Sequence, residues 1–163
     1  MKNRIFAVLS ILFLLLTACN ASHYRSDLSA ETLCKQCAEA LDFAAPAFEG
    51  SEAFADEELP VCDPKLSVCY STDGNNLDEF GIWKTGGEKP RNVATFLADS
   101  LLKRYRENES YYQSYIPEET PKLRDAEVRV YGNYVVYAIL APEQKKAFFQ
   151  YLEKTLANEE KPA

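Results

Sequence analysis

The residues able to do chemistry are few, and cysteine dominates them. Cys34 and Cys37 stand as Cys-Lys-Gln-Cys, while Cys62 and Cys69 enclose six residues further on. A Cys-x-x-Cys pair exchanges disulfides when it opens a helix directly after a strand, where the helix dipole lowers the thiol pKa. No strand pattern precedes Cys34, and both sulfurs fall on the apolar stripe of a helical pattern. A four-cysteine zinc site needs two tight pairs, and the 62–69 spacing is too wide. In an exported chain, four cysteines favour structural disulfides that tie the first helix to the 62–69 segment, with three connectivities open. Buried thiols acting as small apolar groups are the competing reading, and an extracytoplasmic thiol-disulfide oxidoreductase using Cys34 and Cys37 is the alternative function.

Other chemistry finds little material. His23 is the single histidine, so a Ser-His or Cys-His nucleophile has no base inside the domain. Gly86-Gly87-Glu88-Lys89 has the residues of a phosphate loop without its spacing. Asp73, Asn75 and Asp78 depart from a calcium loop at Leu77 and at the misplaced glycine. Asp78-Glu79 and Glu118-Glu119 are carboxylates adjacent in sequence, not a facing acid and base, and read as solvated surface. A net charge of −7 without a basic stripe argues against nucleic acid, which is held by clustered Lys and Arg. The expectation is a non-enzymatic chain with no cofactor and no metal.

Cys19 is different. Lys2 and Arg4 precede an apolar run from Ile5 to Leu16, too short to span a bilayer, which takes about 20 residues, but suited to the core of an export signal. Leu16-Thr17-Ala18-Cys19 resembles the lipobox of bacterial lipoproteins. That resemblance implies acylation of the Cys19 sulfur, removal of residues 1–18 as signal peptide, and residence on the extracytoplasmic face of the cell membrane. An ordinary signal peptide with an incidental cysteine is the competing reading. Loss of Lys2 and Arg4 makes the body more acidic still. Acyl chains, contributing about 0.8 kcal/mol per buried methylene, would then have to hold it against an anionic surface. Residues 19–27 read as a polar lipidated tether, with His23 as a linker residue.

The elements behind these residues follow from periodicity, and the length fits one domain over residues 28–158 with a 159–163 tail. Asp27 or Ser29 caps a helix whose stripe is Leu33, Cys34, Cys37, Ala38, Leu41, Ala44 and Ala45, ended by Pro46. Leu66, Val68 and Tyr70 alternate with polar partners as a strand, and Asp73-Gly74-Asn75-Asn76 turns into a second strand, Phe80 to Lys84. Asn92 is the expected cap of a helix with Val93, Phe96, Leu97, Leu101 and Tyr105 inside. Tyr111 to Pro117 reads as an aromatic crossing segment and 118–125 as a polar connection. Val128 and Val130 alternate, Gly132-Asn133 suits a type II′ turn, and the apolar run Tyr134 to Leu140 suits a central strand covered on both faces. Pro142 opens a last helix with Phe148, Leu152, Thr155 and Leu156 inside. The fold class is α+β: an antiparallel sheet of about four strands with three packed helices, in the order α-ββα-ββα.

Phe80-Gly-Ile-Trp-Lys84, Lys103-Arg104-Tyr105, Tyr115-Ile-Pro117 and Val130-Tyr-Gly-Asn-Tyr-Val-Val136 occur in that order. With the lipobox, they resemble the uncharacterised bacterial lipoprotein family catalogued as domain of unknown function 4358, common in Gram-positive bacteria. The resemblance covers roughly residues 66–156 and implies fold and location, with no catalytic residues to carry over. Seven tyrosines crowd the last third of the chain, and tyrosine is enriched at binding surfaces. Tyr112, Tyr115 and Tyr134 are the expected interaction surface for an unknown envelope partner, provided the crossing segment packs near the Gly132-Asn133 turn. Tyrosines that fill the core are the other reading.

Overall fold

The computed structural model describes residues 24–43, 66–71, 73, 75–86 and 89–157, and of Leu66, Ser67 and Cys69 it describes the backbone only. The signal segment, Cys19, His23, Ala44 to Pro46, Cys62 and the 159–163 tail lie outside them. Helix α1 is Ala30–Ala40. Its cap is Ser29, whose Oγ accepts the Thr32 N–H at 3.0 Å, and its buried residues are Ala30, Leu33, Cys34, Cys37 and Ala38. Strands β1 (Leu66–Tyr70) and β2 (Glu79–Lys84) pair antiparallel. Helix α2 runs over Pro90–Tyr115 and short helix α3 over Thr120–Arg124. Strands β3 (Glu127–Tyr131) and β4 (Tyr134–Ile139) form the second hairpin, and α4 is Pro142–Leu156.

The sheet order is β1-β2-β4-β3, so β4 is central and buried along its whole length, as its apolar run requires. Gly132 takes φ 60 while Asn133 stays out of the left-handed region, the pattern of a type II′ turn. One face of the sheet packs Phe80, Ile82, Tyr134, Val136 and Ala138 against α1 and α4. The other packs Val68, Trp83, Val135, Tyr137 and Ile139 against Val93, Leu97 and Leu101 of α2 and Leu123 of α3. The mixed α+β class is as expected, with α1 stopping at Ala40, Leu41 as its C-cap and Asp42 at φ 50, short of the expected end at Pro46, and with two changes of element.

Both changes concern the middle of the chain. Tyr111 to Tyr115 is not a crossing segment but the last turn of α2, and the polar connection contains α3. The helix begins earlier, at Pro90 after a Lys89 cap with no side-chain bond, because proline tolerates the first turn where its missing N–H costs nothing. It persists to Tyr115 because no glycine or proline interrupts it before Pro117. Ile116, held out of the helical region at φ −140, obeys the restriction on a residue preceding proline.

The domain also begins earlier than residue 28. Tyr24 bridges to Ala157, the Arg25 N–H bonds the Leu156 carbonyl at 2.9 Å, and the Tyr24 ring meets Tyr131 edge-on at 5.4 Å. The Leu28 carbonyl accepts from Lys84 Nζ at 2.9 Å and from the Tyr134 hydroxyl at 2.7 Å. Residues 24–27 are therefore part of the body and not of the expected 19–27 tether, whose other residues lie outside the described ones.

Candidate functional site

Helix α2 is longer than the sheet it covers. Its 26 residues span roughly 39 Å at 1.5 Å each, against about 20 Å for six-residue β2. The helix starts beside the Gly132-Asn133 turn, since the Thr85 N–H bonds the Asn133 carbonyl at 2.8 Å and Val93 packs in the same cluster as Trp83. By Arg104 it has reached Glu79, the first residue of β2. The remaining turns overhang the far end, opposite the Gly132-Asn133 turn. There Tyr111 is 58% and Tyr115 71% exposed, the large hydrophobic side chains most open to water among the described residues. Their rings lie 4.7 Å apart at 36°, and Tyr111 meets Tyr112 edge-on at 5.7 Å. Tyr112 is half-buried against the α2-side core. Below them the Tyr105 hydroxyl donates to Glu109 Oε1 at 2.6 Å, and Gln113 Nε2 donates to the same oxygen at 3.1 Å.

The overhang is fixed by buried charge. Arg104 donates to both Glu79 oxygens at 3.0 and 2.9 Å, and the Tyr137 hydroxyl donates to Glu79 Oε1 at 2.7 Å. Burial pulls against the Arg104 charge, but the Glu79 carboxylate outweighs it and holds the guanidinium protonated. Burial, with Glu79 adding to it, pushes the Tyr137 phenol well above its ordinary range. Gly81 makes the contact possible: it pairs with Tyr137, and a Cβ there would lie 2.2 Å from the Tyr137 ring. Without a side chain at Gly81, the ring lies across β2 and reaches Glu79. Beside it, Lys122 Nζ stands 2.8 Å from Asp78 Oδ1 and 2.7 Å from Glu119 Oε2, and Glu119 Oε2 also takes the Leu77 N–H at 2.9 Å.

Of the carboxylates expected as solvated surface, Glu118 is exposed as expected and the other three are corrected. Asp78 and Glu79 are buried, and Glu119 is almost so. The sequence places Asp78-Glu79 and Glu118-Glu119 far apart, and α3 brings Asp78 and Glu119 onto one lysine. Each buried carboxylate is already bonded to a cation, which suits a clamp rather than proton transfer to a substrate.

A concave region of about 490 Å³ lies between β3 and α4. Phe149 is its floor, Arg129 stacks over that ring at 3.8 Å, and Arg129 is bound to Glu127 at 2.8 Å. Lys145, buried at its wall, donates to the Asp125 carbonyl and lies 3.9 Å from Glu127. Burial lowers its pKa. Arg129 and Lys145 both face Glu127, and no nucleophile, base and oxyanion donor converge there.

The sequence-predicted residues are dispersed. Cys34 and Cys37 are both wholly buried in mid-helix, without the solvent access that thiol exchange with a substrate needs. Cys69 pairs through its backbone with Phe80. The expected bridges to Cys62 and to the Cys69 side chain, and the acylated Cys19, fall outside the described residues. Tyr112 and Tyr115 lie together on the overhang. Tyr134 is a correction: it is fully buried on the opposite face of the sheet, at the end away from the overhang, where its hydroxyl holds Leu28. Tyr111 takes its place on the exposed surface. Among the described residues no group of His, Cys, Asp and Glu is arranged to hold a metal ion, and no helix is long and apolar enough to cross a membrane. No family model, curated protein or solved structure matches the chain.

Proposed function

We propose that the protein is a lipid-anchored lipoprotein of the cell envelope that binds a partner and does not transform a substrate, held on the extracytoplasmic face by an acylated Cys19. The location is supported by the order of basic residues, short apolar run and lipobox-like Leu16-Thr17-Ala18-Cys19, and by the resemblance to the uncharacterised lipoprotein family. The binding role rests on one observation. Tyr111 and Tyr115 are exposed on a helix end that the sheet does not need. Flat rings with wet hydroxyls lose little side-chain entropy when covered, and one such ring at the centre of an interface contributes about 2–4 kcal/mol.

Crosslinking on intact cells tests the surface. Tyr111→Ala and Tyr115→Ala should lose the partner captured by the wild type while melting at the same temperature. If both variants stay folded and keep every crosslinked partner, the surface is wrong. The anchor has its own test: Cys19→Ser should abolish labelling by a clickable fatty acid, and label persisting on the variant would overturn the lipoprotein reading.

A further inference from the structure

Strand β3 ends the sheet: in the order β1-β2-β4-β3 no described strand lies beyond it. Glu127, Arg129 and Tyr131 stand opposite Ala138, Val136 and Tyr134. Across a two-residue turn Tyr131 and Tyr134 are a hydrogen-bonded pair, so Glu127 and Arg129 bond toward β4 as well. The N–H and carbonyl of Val128 and Val130 therefore point away from the sheet, and no described residue bonds them. The pairing runs residue for residue without a bulge, and the strand carries neither proline nor lysine. Those are the devices that commonly keep an edge from pairing.

Beside this edge, α4 turns one stripe to the concave region: Pro142, Lys146, Phe149, Gln150 and Glu153. Lys146, Gln150 and Glu153 are exposed. Arg129, stacked over Phe149, sets the middle of the stripe beside the middle of the strand. Charge is ordered about that middle on both elements. On β3 the acid Glu127 precedes Val128 and the base Arg129 follows it; on α4 the base Lys146 comes first and the acid Glu153 last. A two-fold axis reverses both elements and brings each charge to its opposite.

We infer that β3 pairs antiparallel with β3 of a second copy about a two-fold axis at Val128, joining two sheets into one. Glu127 then stands opposite Arg129 of the second copy, twice. The two Val128 residues exchange N–H and carbonyl, and each Val130 N–H faces the other copy's Ala126 carbonyl. The Ala126 N–H is already bonded to the Leu123 carbonyl at 3.2 Å, which ends the ladder there. Moving the axis to Glu127 or to Arg129 would oppose like charges, which destabilises a strand pair, and moving it to Val130 pairs no charges. Glu127 already bonds Arg129 of its own strand through Oε2. The charges thus choose the register, while backbone bonds and the covered valine edge hold the pair. The same axis lays the two α4 helices antiparallel on one face, each Lys146 toward the other copy's Glu153. The overhangs with Tyr111 and Tyr115 fall at opposite ends, so one dimer offers two equal grips.

The test uses the purified full chain in density-matched detergent, so that acyl groups add neither aggregation nor apparent mass. Sedimentation equilibrium should give the single-chain mass on dilution and twice that mass when concentrated. Over the same range amide exchange at Val128 and Val130 should slow at least about tenfold, while Gly132 keeps its rate. Lys146→Glu and Glu153→Lys replace exposed side chains, and each should stay folded by circular dichroism yet weaken the dimer about tenfold by opposing like charges. Mixed in equal amounts, the two variants should dimerise again. A single-chain mass at every concentration overturns the pairing, as do Val128 and Val130 amides equally slow at all dilutions, which would mean an edge covered within one chain. Slowing at Gly132 would mark the Val130 register and overturn the axis. So would a dimer that neither variant weakens, or a mixture no heavier than its components.

Discussion

The two faces of the sheet are built by different means. Against α1 and α4 the core is aromatic and aliphatic: Phe80 meets Phe148 at 4.7 Å, and Phe148 meets Phe149 at 5.2 Å. Against α2 an apolar stretch gives way to Glu79, Arg104 and Tyr137, joined by bonds of 2.7–3.0 Å. The hydrophobic effect is non-directional, whereas the charge-assisted bonds from one guanidinium nitrogen, Arg104 Nη1, to both Glu79 oxygens fix a distance and a direction. The polar face sets where α2 stops along the sheet, and so how far its tyrosines project. One face supplies stability; the other supplies position.

The contrast can be broken by substitution. Phe148→Ala should have the largest effect, a loss of about 4 kcal/mol in urea unfolding, and no partner change should restore it. Arg104→Ala leaves Glu79 buried without its cation and should cost about 3 kcal/mol. Adding Glu79→Leu should recover most of that, because a buried pair replaced by apolar groups is near neutral. If the double variant is no better than the single one, the pair contributes to stability and not only to placement.

Alkali probes the phenols on both faces. Burial pushes Tyr131 up to about 12 and Tyr134 and Tyr137 upward as well. A phenol whose folded pKa lies above its unfolded value near 10 contributes stability that is whole below about pH 10 and lost as pH rises through the folded value. The melting temperature should hold to about pH 10 and then fall, with roughly 2 kcal/mol lost by pH 12. Tyrosinate absorbance from the buried rings should rise together with unfolding, not ahead of it.

Gly81→Ala tests the slot that lets Tyr137 reach Glu79. The overlap should cost about 2 kcal/mol, as overpacking commonly does, and much less in a Tyr137→Val background. Equal costs in the two backgrounds would separate Gly81 from the ring. Smallest of all, Tyr115→Ala should change stability by less than about 0.5 kcal/mol, since its ring is mostly in water.

Periodicity made most of this fold legible. The stripe of α1, the alternation of the strands, the type II′ turn and the burial of β4 all follow from local chemistry. The length of α2 did not, because Tyr111 to Tyr115 has no apolar stripe to announce a helix. That turn is carried by propagation from an already nucleated helix. Tyr134 was legible in part: strict alternation along β4 puts it with Val136 and Ala138, on the face away from Tyr137. The clamp was hidden, since a carboxylate looks the same in sequence whether solvated or buried, and Glu79 finds partners 25 and 58 residues away. The available signal was Gly81. A glycine between Phe80 and Ile82 inside a strand marks a close approach by something large.

The Leu28 carbonyl has a mechanical consequence. A domain drawn from the N-terminal side is loaded first at Tyr24 and Arg25, held by one bridge and one bond to the last turn of α4. Those contacts part in series. Force then arrives at Leu28, where the lysine and the tyrosine hydroxyl grip the same oxygen from two elements of the sheet. Drawn from Tyr24, the chain should release residues 24–27 first, a slack of about 14 Å, before tension reaches the sheet. Lys84→Met together with Tyr134→Phe should erase that stop and let the same pull run on into α1.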